Sequence, residues 1–295
     1  GLTLTTYVNL LDDTWYHASP SSKNYDMDRF ERYVRFKPDM KIEYVYYYGP
    51  GTSSHYDKVY KGLGPKERML KVCEGYDYNP DMFISAEEVQ KVEDISAENG
   101  RIVRVFKREN GQKAYLRIYN DMYVHPFESE ITAALKTLVD KSPLIAFVTG
   151  HGERACDDFG DRGYAAFAKN PTFRNALINQ GFRVQDLTLE QPVPDNVDVL
   201  VISDMKVPFT PEEFVNYSSF VDKGGNLIIL GEVKRQKNMN PIVEKLGLHF
   251  ADGILVAPSK QYLDDVIAAR ITEGALKASP YFAQLIQRGY TVITP

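Results

Sequence analysis

The chain has 295 residues, with 35 Lys and Arg against 40 Asp and Glu, for a formal net charge of −5. With 43% hydrophobic and 25% charged residues it has the composition of a folded globular protein of about two domains, not of a largely disordered chain. Mild acidity argues against general nucleic-acid binding, and two cysteines, Cys73 and Cys156, are too few for a disulfide framework or a four-cysteine metal site.

Residues 1–140 read as α+β. Leu2–Asn9 alternates and is rich in Thr and Val, so it predicts a strand. In Asp26–Phe36, Met27, Phe30, Tyr33 and Val34 recur at helical spacing, and Pro38 ends the helix. Lys41–Tyr48 is β-branched and aromatic, and Gly49-Pro50-Gly51 stops it. Pro65–Cys73 predicts a helix with proline in its first turn. The clearest local signal is Arg101–Arg108, then Asn110-Gly111, then Gln112–Tyr119. Two alternating runs around an Asn-Gly pair favour a type I′ hairpin. Phe127–Asp140 predicts a helix with Ile131, Leu135, Leu138 and Val139 on one face.

The pattern changes near residue 141, and residues 141–295 read as α/β. Pro143–Thr149 is a continuous apolar run, as expected of a strand buried on both faces. A helix over Thr172–Gln180 with Gly181 as its cap leads to a strand at Phe182–Leu187, and Val197–Ser203 is a further buried strand. Thr210, Pro211 and Glu213 form a capping-box pattern opening a helix to about Asp222. Gly224-Gly225 then leads into the strand Asn226–Gly231. Asn240–Leu246 predicts a short helix and His249–Val256 a strand. The tail carries an extended piece near Asp265–Ile271, a helix near Tyr281–Arg288 and a last strand at Tyr290–Ile293. Alternating strands and helices predict a mainly parallel sheet with helices on both faces, preceded by the smaller α+β domain. No run approaches the roughly 18–20 apolar residues of a membrane span. Because the chain starts with Gly1 on a strand-like segment and stops on another, it reads as a soluble piece of a longer protein.

In an open parallel sheet, ligands sit outside the carboxyl ends of the strands. That rule collects Gly150–Arg154, the Leu189–Pro194 loop, Asp204–Lys206 and Glu232–Arg235. The candidate ligand-binding residues are therefore His151, Gly152, Glu153, Arg154, Asp204 and Arg235. A buried strand running into Gly-His-Gly-Glu suits a ligand or catalytic loop, with Glu153 orienting His151. It equally suits a tight turn in which His151 bonds a neighbour. A Cys156–His151–Glu153 nucleophilic site is the enzymatic alternative. It lacks the glycine elbow around its cysteine, and the acidic loop Asp157, Asp158 and Asp161 disfavours a thiolate. Those three acids match no EF-hand spacing, the five histidines are scattered, and there is no P-loop, so no metal or cofactor is predicted. Lys234-Arg235-Gln236-Lys237 suits an anion or a solvated loop. The 20 tyrosines are weighted to the first half. Tyr44–Tyr48 and Tyr76–Tyr78 suit either a sugar- or protein-binding surface or strand packing, so a carbohydrate-binding module is a third possibility.

Several segments of the second half, taken together, resemble a known family. They are Leu144–Glu153, Gln180–Val184 with Leu187-Thr188-Leu189, Val193–Asp195 with Asp198–Ser203, Phe209–Glu213, and Gly224–Ile229. Over about residues 130–250 the chain resembles the GldG-like auxiliary component of ABC-type transport systems, associated in some bacteria with gliding motility. The resemblance implies a class I amidotransferase-like (flavodoxin-like) α/β fold without the amidotransferase nucleophile. It also implies a periplasmic location at the inner membrane, anchored through segments outside this sequence, with an ABC permease and ATPase as partners. It carries over no catalytic residue. The implied function is a non-enzymatic extracytoplasmic domain acting by protein contact or ligand capture.

Overall fold

The Thr- and Val-rich alternation of Leu2–Asn9 forms β1, the central strand of the first sheet. The fold, a computed structural model, describes residues 1–50, 54–258, 260, 263–269, 271–280, 282–283, 286 and 292–294. On one side β1 runs parallel to β2 (Met40–Tyr48), and β2 to β3 (Phe83–Ser85). On the other side it runs antiparallel to β4 (Val103–Arg108), and β4 to β5 (Lys113–Arg117). The crossover from β1 to β2 is α1 (Pro20–Phe36). It begins well before Asp26 because Ser19 accepts from the Ser22 amide at 3.2 Å and Pro20 fills the first position, where no amide hydrogen is required. Short α2 (Ser54–Val59), α3 (Pro65–Tyr76) and α4 (Ala86–Gln90) follow β2. From α5 (Glu128–Thr137), Ile131 and Ala134 join Leu2, Leu4, Phe30 and Phe106 in one apolar layer. Tyr7, Tyr47, Val89, Val103 and Val105 build the layer on the opposite face.

The β4–β5 hairpin forms, but its turn is not type I′. That turn needs positive φ at both central residues, and here only Gly111 has it, at 86°. The Gly111 amide donates to Arg108 O at 2.9 Å, and the Arg108 amide to Gln112 O at 2.9 Å. The loop is thus the three residues Glu109-Asn110-Gly111, with glycine at the left-handed position.

The second sheet is wholly parallel, in the order β7-β6-β8-β9. Its strands are β6 (Leu144–Val148), β7 (Arg183–Leu187), β8 (Val199–Ser203) and β9 (Asn226–Leu230). One face packs Ala146, Val148, Leu200 and Ile202 against Tyr217 and Phe220 of α7 (Pro211–Asp222) and Met239, Ile242 and Val243 of α8 (Gln236–Glu244). The other face packs Ile145, Phe147 and Val201 against Cys156 and Ala168, the latter from the four-residue α6 (Ala165–Ala168). With helices on both faces, the second sheet has the predicted layered α/β character.

Two predicted elements do not form. Thr172–Gln180 contains only a 3₁₀ turn at Leu177–Asn179. Its backbone is held by side chains instead: Asn179 Nδ2 donates to the carbonyls of Asn170, Pro171 and Phe173, and Gln180 Nε2 to that of Arg174. His249–Val256 is not a strand. Asn240 takes both backbone groups of Phe250, and Ile254, Leu255 and Val256 stay exposed, in no strand among the described residues. In the tail, β10 (Ile267–Ala269) pairs antiparallel with β11 (Val292–Thr294), after the short α9 (Glu273–Ala278). The helix expected near Tyr281–Arg288 lies largely outside the described residues, as does Gly51. Among the described residues, no helix is long and apolar enough to cross a membrane.

Candidate functional site

The strand order reverses direction between β6 and β8, and the crevice outside their carboxyl ends is where open parallel sheets bind ligands. Three of the four predicted segments meet there. Arg154, beyond β6, reaches Asp204, beyond β8, with Nε 3.4 Å from Oδ2. Its Nη2 is 2.9 Å from Oε2 of Glu232, beyond β9. Arg235 Nε lies 3.6 Å from Asp204 Oδ1, and Arg162 pairs with Glu232. The fourth segment stays apart: Leu189 is buried in the core, and its carbonyl accepts from Asn216 of α7 at 2.9 Å.

Asp204 is buried and sits in the left-handed region at φ 52°, with its amide donating to Leu230 O at 2.8 Å. Burial and the nearby Glu232 carboxylate push its carboxyl above the ordinary range, against the pull of Arg154. Glu232, beside Asp204 and the Arg154 and Arg162 guanidiniums, is held down at about 2. Two acids whose protonation is driven apart can divide acid and base roles. Here, though, three guanidiniums face the two carboxyl groups, while Asp204 Oδ1 is left buried without a hydrogen-bond partner, Arg235 standing 3.6 Å from it.

His151 is buried, and both ring nitrogens are engaged. Nδ1 lies 2.9 Å from Glu153 Oε1, and Nε2 lies 3.0 Å from Glu213 Oε2. Its amide donates to Glu153 Oε2 at 2.6 Å, and its ring meets Phe209 edge-on at 4.9 Å. Its carbonyl accepts from the Lys206 and Val207 amides. Glu213 is the capping carboxylate of α7: Oε2 accepts from the Thr210 amide at 2.8 Å, and Thr210 Oγ1 accepts from the Glu213 amide at 3.3 Å. Burial opposes ionisation of Glu213, but the Thr210 amide and His151 hold its carboxyl below the ordinary range. His151 therefore fastens the β6 loop to the start of α7. The motif reads as the tight turn, with a partner from a helix that local spacing does not reveal. Gly152, at φ 72°, lets this turn close over Lys206, whose side chain would lie 3.1 Å from an added Cβ.

The nucleophilic alternative is not assembled. Cys156 is fully buried, and its thiol donates to Asp186 Oδ1 at 3.0 Å. Burial and Asp186 push that thiol up to about 11, so it stays protonated at neutral pH. Asp158 accepts from the Gly160 amide within its own loop, and among the described residues no three His, Cys, Asp or Glu side chains come together as a metal site. The tyrosine cluster is mostly a packing feature. Tyr47 is buried, Tyr44 and Tyr46 stack at 6.3 Å and are half-buried, and the Tyr44 hydroxyl donates to Asp26. Sequence reasoning missed Arg162 altogether, Glu232 as a site residue and the second, distant role of Glu213 as partner to His151, because those contacts lie far along the chain.

Residues 142–263 match the model of a family described as an ABC-type uncharacterized transport system. No curated protein and no solved structure matches the chain.

Proposed function

We propose that this chain is an auxiliary component of an ABC-type transport system, working by protein contact or ligand capture and not by catalysis. The family match over residues 142–263 carries this reading, since it covers the whole parallel sheet and its carboxyl edge. The chemistry of that edge supports it further. A hydrolase built here would need a free imidazole nitrogen and a thiolate, and both groups are committed elsewhere. The finer reading is a GldG-like component at the periplasmic face of the inner membrane, anchored by segments outside this sequence and partnered with an ABC permease and ATPase. Its parallel sheet is then class I amidotransferase-like, in a domain that begins near residue 141.

The test is affinity capture of the parent protein from crosslinked, detergent-solubilised membranes of its native host. Co-recovery of an ABC ATPase and its permease is the expected result. Capture of the protein without either would overturn the reading. So would esterase or amidase activity in the pure protein that Cys156→Ser or His151→Gln abolishes.

A further inference from the structure

A second polar cluster lies inside the first sheet's helix-covered face. Thr6 of β1 pairs in register with Tyr44 of β2 and Arg104 of β4, so three polar side chains stand abreast across three strands. The row on one side of them is Leu4, Ile42 and Phe106, and Val8 and Tyr46 lie on the other. Asp26 of α1 sits over the row. It accepts from Arg104 Nε at 3.2 Å and from Nη2, from Tyr44 Oη at 3.2 Å and from Thr6 Oγ1 at 3.5 Å. Arg29, one turn on, brings its Nε to 3.8 Å from Asp26 Oδ1. His125 Nδ1 lies 3.4 Å from Arg104 Nη2, and the His17 ring meets that of His125 edge-on at 5.0 Å.

Asp26 does not balance this cluster. Two guanidiniums face one carboxylate. Arg104 is 0% exposed, yet its Nη1 has no hydrogen-bond partner. The same holds for Nε2 of His17, which is 7% exposed, and for the buried Nε of Arg29. Burial and then the Arg104 charge hold His17 down at about 4 and His125 at about 3, so neither ring adds charge at neutral pH. What remains is an excess of positive over negative charge around the fully buried Arg104, with Arg29 31% exposed, and three nitrogens without a hydrogen-bond partner, which are costly to leave buried. Arg29 also lines a groove of about 620 Å³ with Arg32 and Pro126, where the carboxylates of Asp28 and Glu128 stand beside the two arginines.

We propose that this cluster is a binding site for a small oxyanion, a carboxylate or phosphate group, held by Arg104 Nη1, Arg29 and the His17 imidazole. A guanidinium that spends its Nε–Nη2 edge on Asp26 still offers Nη1, and planar forks match the oxygens of both groups. The ligand is either a free ion or the anionic end of a larger molecule.

The test is thermal melting of the whole chain at fixed ionic strength, with chloride exchanged for inorganic phosphate, for acetate, or for a short peptide with a free or an amidated C-terminus. At tenfold excess over Kd, a specific ligand should raise Tm by about 3 °C or more, and the rise should keep growing with the logarithm of its concentration. A response to phosphate or acetate alone indicates a free ion. A stronger response to the free-carboxylate peptide, absent from its amidated form, indicates a chain end. Arg29→Gln and His17→Phe should each weaken the response at least tenfold. The proposal fails if no anion raises Tm above the chloride control, or if both variants keep the rise unchanged. Should the variants not fold, the His125 ring signal of the wild-type protein decides by NMR: its titration midpoint rises when the anion binds, and an unmoved midpoint overturns the site.

Discussion

His17 and His125 lie in ring contact near the buried Arg104 guanidinium, and that placement makes both of them acid-sensitive. In the anion-free protein His17 titrates at about 4 when folded, against 6.5 for the free side chain. Between those values the unfolded chain binds the proton and the folded one does not, so stability rises with pH across this window and is lost as pH falls through it. At about 1.4 kcal/mol per unit, the loss attributable to His17 is on the order of 3 kcal/mol. Urea denaturation from pH 7 to pH 4 should show this slope, and His17→Phe should flatten it; an equally steep slope in the variant would remove His17 as its source. The buried thiols lead to a simpler expectation. With Cys156 pushed up to about 11 and Cys73 raised by burial, neither should react with a thiol reagent at pH 8 in the folded protein. Both should react once urea unfolds it. Rapid labelling of the native protein would contradict the packing around Asp186.

At the scale of elements, the start of α7 was legible in the sequence, and its second use was not. Thr210, Pro211 and Glu213 stand at capping-box spacing, and the reciprocal bonds form as that spacing predicts. The same Glu213 oxygen also faces His151, 62 positions away along the chain, which local spacing cannot announce. Thr210→Ala alone should cost about 1 kcal/mol. His151→Ala should cost more, because it strips a buried partner from Glu153 as well as from Glu213. Since both substitutions act on one carboxylate, their combined cost should depart from the sum by about 0.5 kcal/mol or more in a double-mutant cycle. Strict additivity would mean that cap and fastener are independent. The two missed elements fail for a related reason. Thr172–Gln180 has helical spacing, but Asn179 and Gln180 satisfy its carbonyls from the side. His249–Val256 has a strand's composition but pairs with no strand among the described residues.

At the scale of the molecule, the two sheets are joined through one residue more than any other in the loop that replaced the expected helix. Arg174 donates from Nε to Asp121 at 2.7 Å and from Nη1 to the buried Glu130 of α5 at 2.7 Å. Its Nη2 also reaches the His125 carbonyl at 3.0 Å. The guanidinium is sandwiched between the Tyr119 ring at 4.4 Å and the Phe127 ring at 4.3 Å. Burial opposes the charge on Glu130, and the Ser129 hydroxyl, the Phe127 amide and Arg174 restore it. Nearby, the Asn120 amide donates to Thr172 O at 2.9 Å, and Arg117 Nη1 to Asn179 at 3.1 Å. The change of pattern near residue 141 was visible because strand chemistry changes there, from tyrosine-rich to aliphatic. The joint was not visible, because an arginine in a polar loop carries no sign of where it reaches. Removing one member of a buried pair typically costs about 3–5 kcal/mol, since the other is left charged and unpaired. Arg174→Ala should therefore loosen the joint as well as destabilise α5. Calorimetry of the wild type should give one transition. The variant should melt earlier and resolve into two, the lower one belonging to the unit that has lost α5's anchor. Arg174→Lys should recover little, because an ammonium cannot serve two carboxylates, a carbonyl and two ring faces at once. A variant that melts in one step at the wild-type temperature would show that the two sheets are held together by other contacts.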